Sequence, residues 1–138
     1  METHPTVKEH SALKPQYFDL TVMDVEAARR FFEACLGWRF VPFDPIPGYY
    51  RIQAGAPDEP GIDGGIGAAK DFPQSEGRSL TLMTIPVPEV DDVIGKVEQN
   101  GGRVVEAKRA IPGIGWFCTC AEPGGLLFGV LQPHPGAT

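Results

Sequence analysis

One aspartate stands in the pattern best suited to acid–base chemistry. Residues 17–22 read YFDLTV, a run of β-forming residues in which alternate side chains share a face, so Asp19 lies between Tyr17 and Thr21. Burial raises the pKa of a carboxyl group towards the range of a usable general base. Asp19 is therefore the candidate catalytic residue. The alternative is a carboxylate that accepts hydrogen bonds from a neighbouring strand or faces solvent.

Three aromatic residues are candidates for contact with a flat organic molecule. Tyr49 and Tyr50 are adjacent and alternate faces, so only one of them can enter a cavity, where it offers a stacking surface and a phenolic donor. Trp116 follows a loop at 110–115 whose glycines and proline let the backbone pass close to a ligand. The alternatives are ordinary strand packing for the tyrosines and core packing for Trp116.

The histidines and cysteines do not form a metal-binding or nucleophilic pattern. His4 and His10 lie in the polar N-terminal segment and His134 in the Pro/Gly-rich tail, whereas a metal centre or a catalytic triad needs groups that converge from rigid elements. We therefore expect no metal ion and no cofactor. Cys118 and Cys120 share one face of a predicted strand, a spacing that favours packed thiols over a zinc or redox site.

Composition and charge narrow the class of protein. The chain has 138 residues, enough for one domain, and its twelve Lys and Arg against eighteen Asp and Glu give a net charge of −6. Nucleic acids and anionic membranes demand a basic surface, so neither is expected as a partner. No apolar run reaches the ~18 residues of a membrane span, and the first residues lack the apolar core of a signal peptide. With an odd set of three cysteines, we expect a cytoplasmic protein.

The elements that position these residues repeat once along the chain. A helix is predicted after the cap Asp24 and before Gly37, with a buried stripe of Val25, Ala28, Phe32, Cys35 and Leu36. A second helix opens at 88–89 and ends at 100–101. Strands precede and follow each helix, which predicts two β-α-β-β-β modules, about 17–76 and 77–133, in one α+β domain. Residues 1–16 are expected to form a flexible arm and residues 134–138 a tail.

Five blocks of the sequence, in the same order, resemble the vicinal oxygen chelate superfamily, also called the glyoxalase/bleomycin-resistance/dioxygenase fold. Residues 17–38 are similar to its opening strand, helix and Gly-Trp signature. Residues 60–67, 87–105, 110–117 and 122–132 resemble later blocks of a bacterial glyoxalase-like branch. The resemblance implies a cup-shaped, eight-stranded mixed sheet with its helices outside, its ligand inside and a homodimeric assembly.

The resemblance also implies where metal ligands would lie, and the residues found there do not supply them. The opening-strand position, usually His, falls on Tyr17, the position on the first strand of the second module falls near Leu82, and the closing-strand carboxylate falls on Gly129. The remaining position falls within 64–66, which offers no donor side chain. The residues expected to face a ligand in the cup are Tyr17, Thr21, Tyr49, Tyr50, Leu82, Thr84, Trp116 and Gly129.

Binding of a small, aromatic or apolar organic molecule in a metal-free cup is the leading functional hypothesis. The alternative is a metal-independent lyase or isomerase in which Asp19 and a tyrosine act as acid and base. A metal-dependent lactoylglutathione lyase or extradiol dioxygenase is the third hypothesis, supported by the fold alone. The expected partners are a small-molecule ligand and a second copy of the chain.

Overall fold

The computed structural model describes residues 13–138, which form one eight-stranded mixed sheet and two α-helices. The strands are β1 Tyr17–Val22, β2 Arg39–Pro42, β3 Tyr50–Gln53, β4 Asp63–Ala68, β5 Leu80–Pro86, β6 Arg103–Ile111, β7 Gly115–Ala121 and β8 Leu127–Pro133. Helix α1 spans Val25–Leu36 and helix α2 spans Val90–Gln99. Two short 3₁₀ turns, Ala69–Asp71 and Pro73–Ser75, lie between β4 and β5.

Two modules of four strands meet at the centre of the sheet. The strand order is β2-β3-β4-β1-β5-β8-β7-β6, so the first strand of each module lies at the junction. β1 pairs in parallel with β4, β5 pairs in parallel with β8, and an antiparallel pairing of β1 with β5 joins the modules. The predicted α+β fold of two β-α-β-β-β modules is confirmed.

Helix α1 begins and ends where the sequence predicts. The Asp24 carboxylate accepts a hydrogen bond from the backbone N–H of Ala27 at 3.0 Å, which satisfies one of the free donors of the first turn. Gly37 ends the helix in the left-handed conformation, with φ of 73°, and its N–H donates to the carbonyl oxygen of Glu33.

The predicted buried stripe of helix α1 is wrong in its last turn. Phe32 stacks on Trp38 with ring centroids 4.9 Å apart, and Trp38 in turn packs against Phe18 of β1. Cys35 and Leu36 lie beyond this aromatic contact and are exposed, and no residue of the helix is fully buried.

The homodimer implied by the resemblance stays a prediction.

Helix α2 covers its half of the sheet more completely. Its residue Val90 is 1% exposed and packs in a core with Cys118, Cys120 and Val130. The two thiols pack side by side as predicted, with their sulfur atoms 3.8 Å apart. Burial raises the pKa of Cys118 to about 12, so this thiol stays protonated and unreactive at neutral pH.

The last five residues are part of the folded domain. The N–H of Gly113 donates to the carbonyl oxygen of Ala137 at 3.1 Å, and the N–H of His134 donates to that of Ile114 at 2.9 Å. Ala137 is buried, so residues 134–138 pack against the turn between β6 and β7. Most of the predicted arm, residues 1–12, lies outside the described residues.

Residues 13–138 contain no helix with the length and apolar character needed to cross a membrane.

Replacement of Ile66 tests the core behind the sheet. Ile66 in β4 is fully buried, whereas Ile62, just before the strand, is 42% exposed. We expect Ile66→Ala to lower the free energy of unfolding by about 2–5 kcal/mol because truncation leaves a cavity, and Ile62→Ala to lower it by about 1 kcal/mol or less. Urea denaturation followed by circular dichroism measures both. Equal effects would contradict the placement of Ile66 in the core.

Candidate functional site

The concave face of the sheet, opposite the helices, encloses a cavity of about 270 Å³. Its wall is mostly apolar: aromatic rings come from Phe43, Phe72 and Phe117, and the aliphatic side chains include Leu82 and Leu131. Strands of both modules contribute, because β1 and β5 form its floor and the outer strands curve around it. A concave, mostly apolar site with few polar groups is the usual form of a small-molecule site.

The structure brings six of the predicted site residues together around this cavity. They are Tyr17, Asp19, Thr21, Tyr49, Leu82 and Thr84. The three from β1 share one face because side chains alternate along a strand. Leu82 and Thr84 of β5 lie on the same side of the sheet for the same reason, since β5 pairs directly with β1.

The other predicted contacts lie elsewhere. Tyr50 is on the helix side of β3, where the guanidinium of Arg29 from α1 lies 4.1 Å from the centre of its ring. Trp116 packs on the core beneath α2, and its neighbour Phe117 takes the cavity side, as strand alternation requires. Gly129 is on the cavity side of β8, but the Phe117 ring lies over it.

The polar centre of the cavity is the carboxyl group of Asp19. The Thr84 hydroxyl donates to one of its oxygens at 2.8 Å, and the Tyr49 hydroxyl donates to the other. Burial raises the pKa of Asp19 above its ordinary value of 3.8, while the two hydrogen bonds oppose that rise. Burial, together with the nearby Asp19 charge, also raises the pKa of Tyr49, so its phenol remains a donor.

Tyr49 reaches Asp19 by lying across the intervening strand β4. It precedes β3, and the strand order places β4 between β3 and β1. The residue of β4 opposite Asp19 is Gly65, and a Cβ built there would overlap the Tyr49 hydroxyl. A Cβ at Gly67 would lie 3.2 Å from the Tyr49 ring. The absence of side chains at these two glycines creates the groove that the Tyr49 ring occupies.

The second module uses the same arrangement with a different aromatic residue. Gly129 of β8 lies opposite Thr84 of β5, as Gly65 lies opposite Asp19. A Cβ at Gly129 would lie 2.8 Å from the Phe117 ring and 3.1 Å from Leu82. Phe117 thus lies over a glycine of the last strand of its module, and it contributes an apolar wall where Tyr49 contributes a hydroxyl.

The positions implied for metal ligands do not fit a divalent cation. Leu82 is apolar and only 5% exposed, and the glycines at 65 and 129 are covered by aromatic rings. Zinc, manganese and iron are bound in proteins by groups of His, Cys, Asp or Glu. Among residues 13–138 no three such side chains lie close enough to hold an ion. Asp19 is a single carboxyl already occupied by two hydroxyl donors.

Sequence reasoning missed several residues of the cavity wall. Phe43 and Phe72 lie in connections between strands, where no periodicity indicates the direction of a side chain. Arg51 faces the cavity two residues after Tyr49, and Phe117 faces it beside Trp116. Strand alternation applied to the latter two segments would have indicated both, once the cavity side of one neighbour was known.

The sequence matches a protein family and two curated relatives. A family model described as Glyoxalase/Bleomycin resistance protein/Dioxygenase superfamily matches residues 14–130. The protein CFP32 of Mycobacterium bovis, which carries the name glyoxylase, is 29% identical over 140 residues that cover 97% of this chain and 52% of that protein. CFP32 of Mycobacterium tuberculosis shows the same identity and coverage. The chain therefore spans about half the length of the curated relatives it matches.

Solved structures with low sequence identity share the fold. Homoprotocatechuate 2,3-dioxygenase of Brevibacterium fuscum superposes with a TM-score of 0.64 at 16% identity, over 91% of this chain and 38% of the dioxygenase chain. The Mn(II)-bound glyoxalase of Novosphingobium aromaticivorans gives 0.62 at 20% identity, over 92% and 42%. Methylmalonyl-CoA epimerase of Mycobacterium tuberculosis gives 0.59 at 17% identity, over 88% of both chains.

Substitution of Gly65 tests how the Tyr49 side chain packs against β4. We expect Gly65→Ala to displace the tyrosine from Asp19 and to lower the free energy of unfolding by about 1–3 kcal/mol, because the added methyl group overlaps the phenol. The matched control is Gly95→Ala in helix α2, where a Cβ meets nothing within 4 Å and alanine is expected to be neutral or stabilising by up to about 1 kcal/mol. Urea denaturation measures both, and a neutral Gly65→Ala would refute this packing.

Substitution of Asp19 tests the state of its carboxyl group. Because the pKa of Asp19 is raised on folding, the folded protein holds this proton to a higher pH than the unfolded chain. The stability it contributes is fully present below pH 3.8 and is lost as the pH rises through the raised pKa. We therefore expect Asp19→Asn to become more stable relative to the wild type as the pH increases. Denaturation curves of both proteins between pH 4 and 8 measure this, and parallel pH profiles would rule it out.

Proposed function

The chain belongs to the Glyoxalase/Bleomycin resistance protein/Dioxygenase superfamily, and on that premise we propose that its cup binds a small, mostly apolar organic molecule without the help of a metal ion. The observation that carries the proposal is the cavity itself, whose wall is built from aromatic and aliphatic side chains around one polar centre. A volume of about 270 Å³ lies just below the usual range for such sites, which begins at about 300 Å³. This size suits a ligand of one or two rings.

The shape of the wall favours a flat ligand. Phe43 and Phe72 contribute aromatic rings to the cavity wall from connections of the first module, and Phe117 contributes one from a strand of the second. Stacked and edge-to-face contacts between aromatic rings stabilise a bound ring by about 0.5–1.5 kcal/mol beyond its burial. Because the Asp19 carboxyl is at the floor, a ligand can place one polar group there and leave its body against the apolar wall.

A metal-free mode of binding is supported by the donor set. The positions that would hold metal ligands carry Leu82 and two ring-covered glycines, Gly65 and Gly129. Binding then depends on apolar burial and on hydrogen bonds with Asp19, Tyr49 and Thr84. For a ligand of this size the expected Kd is in roughly the micromolar to millimolar range.

A thermal-shift screen with planar bicyclic compounds tests the proposal. We expect at least one of indole, 2-naphthol, 2-naphthamide and 2-naphthoate to raise the Tm by about 3–8 °C at some twenty times its Kd. Ile114→Trp places a large side chain at a residue that lines the cavity and is expected to remove the shift. Ile62→Trp, at a similarly exposed isoleucine outside the cavity, is expected to keep it. A flat response to every compound would overturn the proposal.

A second function, acid–base catalysis, is favoured by the Asp19 arrangement. A carboxyl group with a raised pKa, hydrogen-bonded to a tyrosine inside an apolar cavity, has the properties of a general base paired with a general acid. The reaction class would be a proton transfer, as in an isomerase or a lyase. Asp19→Asn separates the two functions: it abolishes turnover of a substrate in the catalytic case and changes only affinity in the binding case.

A further inference from the structure

We infer that the ligand of this cup is an organic acid, whose anionic group is bound by the guanidinium groups of Arg51 and Arg109. The inference rests on the proposed function and names the chemical class of its ligand. The two arginines line the cavity together with Asp19, and they are the charged residues of its wall within residues 13–138. The cavity is therefore lined by two cations and one carboxyl group, in a chain whose net charge is −6.

The one carboxyl group in the wall does not neutralise these arginines. Asp19 accepts hydrogen bonds from the hydroxyls of Tyr49 and Thr84, and neither arginine forms an ion pair with it. Burial in addition favours its protonated form. A concave, low-dielectric wall concentrates the field of the charges it carries, so this cavity attracts anions although the protein as a whole is acidic.

Arg51 belongs to the same face as the polar centre. It follows Tyr49 by two residues and pairs in register with Gly65, the glycine that also lies opposite Asp19. Because Gly65 has no side chain, the group that lies over β4 at that level, between Arg51 and Asp19, is the Tyr49 phenol. Within residues 13–138, Arg51 has no carboxylate within ion-pair distance.

Arg109 approaches from the other end of the sheet, on β6. Its guanidinium lies over the Phe117 ring, 5.6 Å from the centroid, which fixes its position beside the apolar wall. Its Nε is 3.7 Å from a carboxylate oxygen of Glu106, longer than a hydrogen bond. Glu106 offsets part of the Arg109 charge but does not line the cavity. The N–H donors of the Arg109 guanidinium therefore remain available to a ligand.

This placement indicates how an acid would lie in the cup. Guanidinium groups bind carboxylates through paired, charge-assisted hydrogen bonds, which are about twice as strong as neutral ones. The anionic group would lie at the rim between Arg51 and Arg109, and the rings would lie against Phe117 and Leu82. The far end of the molecule would face the hydroxyls that surround Asp19.

Calorimetric titration with a matched pair of probes tests the inference. The probes are 2-naphthoate and 2-naphthamide, which have the same shape and differ in charge. We expect the wild type to bind 2-naphthoate at least about tenfold more tightly than the amide. Arg51→Gln and Arg109→Gln are each expected to weaken 2-naphthoate by about fivefold or more, with the amide affected less than about twofold. Arg39→Gln, at an exposed residue of β2 outside the cavity, is the control and should change neither.

A second measurement needs no variant and so does not depend on how the variants fold. Raising the salt concentration from 20 to 500 mM screens charge interactions, so the affinity for 2-naphthoate should fall and that for 2-naphthamide should not. Equal affinity for both probes, unaffected by salt, would overturn the organic-acid inference and leave the apolar binding function standing. Binding of neither probe would overturn the organic-acid inference, and the apolar binding function would fall with it only if indole and 2-naphthol also gave no thermal shift.

Discussion

The cup depends on a partly buried carboxyl group that accepts hydrogen bonds from two hydroxyl groups. Asp19 comes from β1 and Tyr49 from the position just before β3, whereas Thr84 comes from β5 of the other module. A buried polar group without partners costs roughly 1–3 kcal/mol, and these two donors offset that cost. The hydrogen bond from Thr84 to Asp19 also connects the two modules at the line where β1 meets β5. The polar group at the floor of this apolar cavity therefore also helps to hold β1 and β5 together.

Each module uses a glycine to make space for an aromatic ring on the floor of the cup. A glycine of the last strand, Gly65 or Gly129, lies opposite the polar residue of the first strand and beneath an aromatic ring. These glycines are 64 residues apart, as are the helix-ending Gly37 and Gly101, so the internal repeat includes the site. The repeat is not symmetrical in chemistry, because a phenol lies over one glycine and a phenyl ring over the other. The ring over the glycine therefore donates a hydrogen bond to Asp19 only in the first module, and the donor from the second module is the Thr84 hydroxyl.

Much of this architecture follows from sequence periodicity, and the limits of that reasoning are physical. Helix caps, alternating strands and the repeat predict the modules, and alternation correctly groups Tyr17, Asp19 and Thr21. Alternation predicts which side chains share a face but not which face is concave, so Trp116 was assigned to the cavity although its neighbour occupies that side. The burial of Cys35 depends on how closely a helix approaches its sheet, which the apolar stripe alone does not determine.

The pairing of glycine with an aromatic ring also constrains how such a site can change over time. A donor side chain placed at Gly65 alone meets the Tyr49 hydroxyl, and loss of Tyr49 alone leaves Asp19 with one donor and an empty groove. Either substitution by itself is unfavourable, and the two become compatible when made together. The effects of replacing these two residues are therefore not expected to add, so a change towards a cup with a donor side chain at position 65 is easier when Tyr49 is replaced as well.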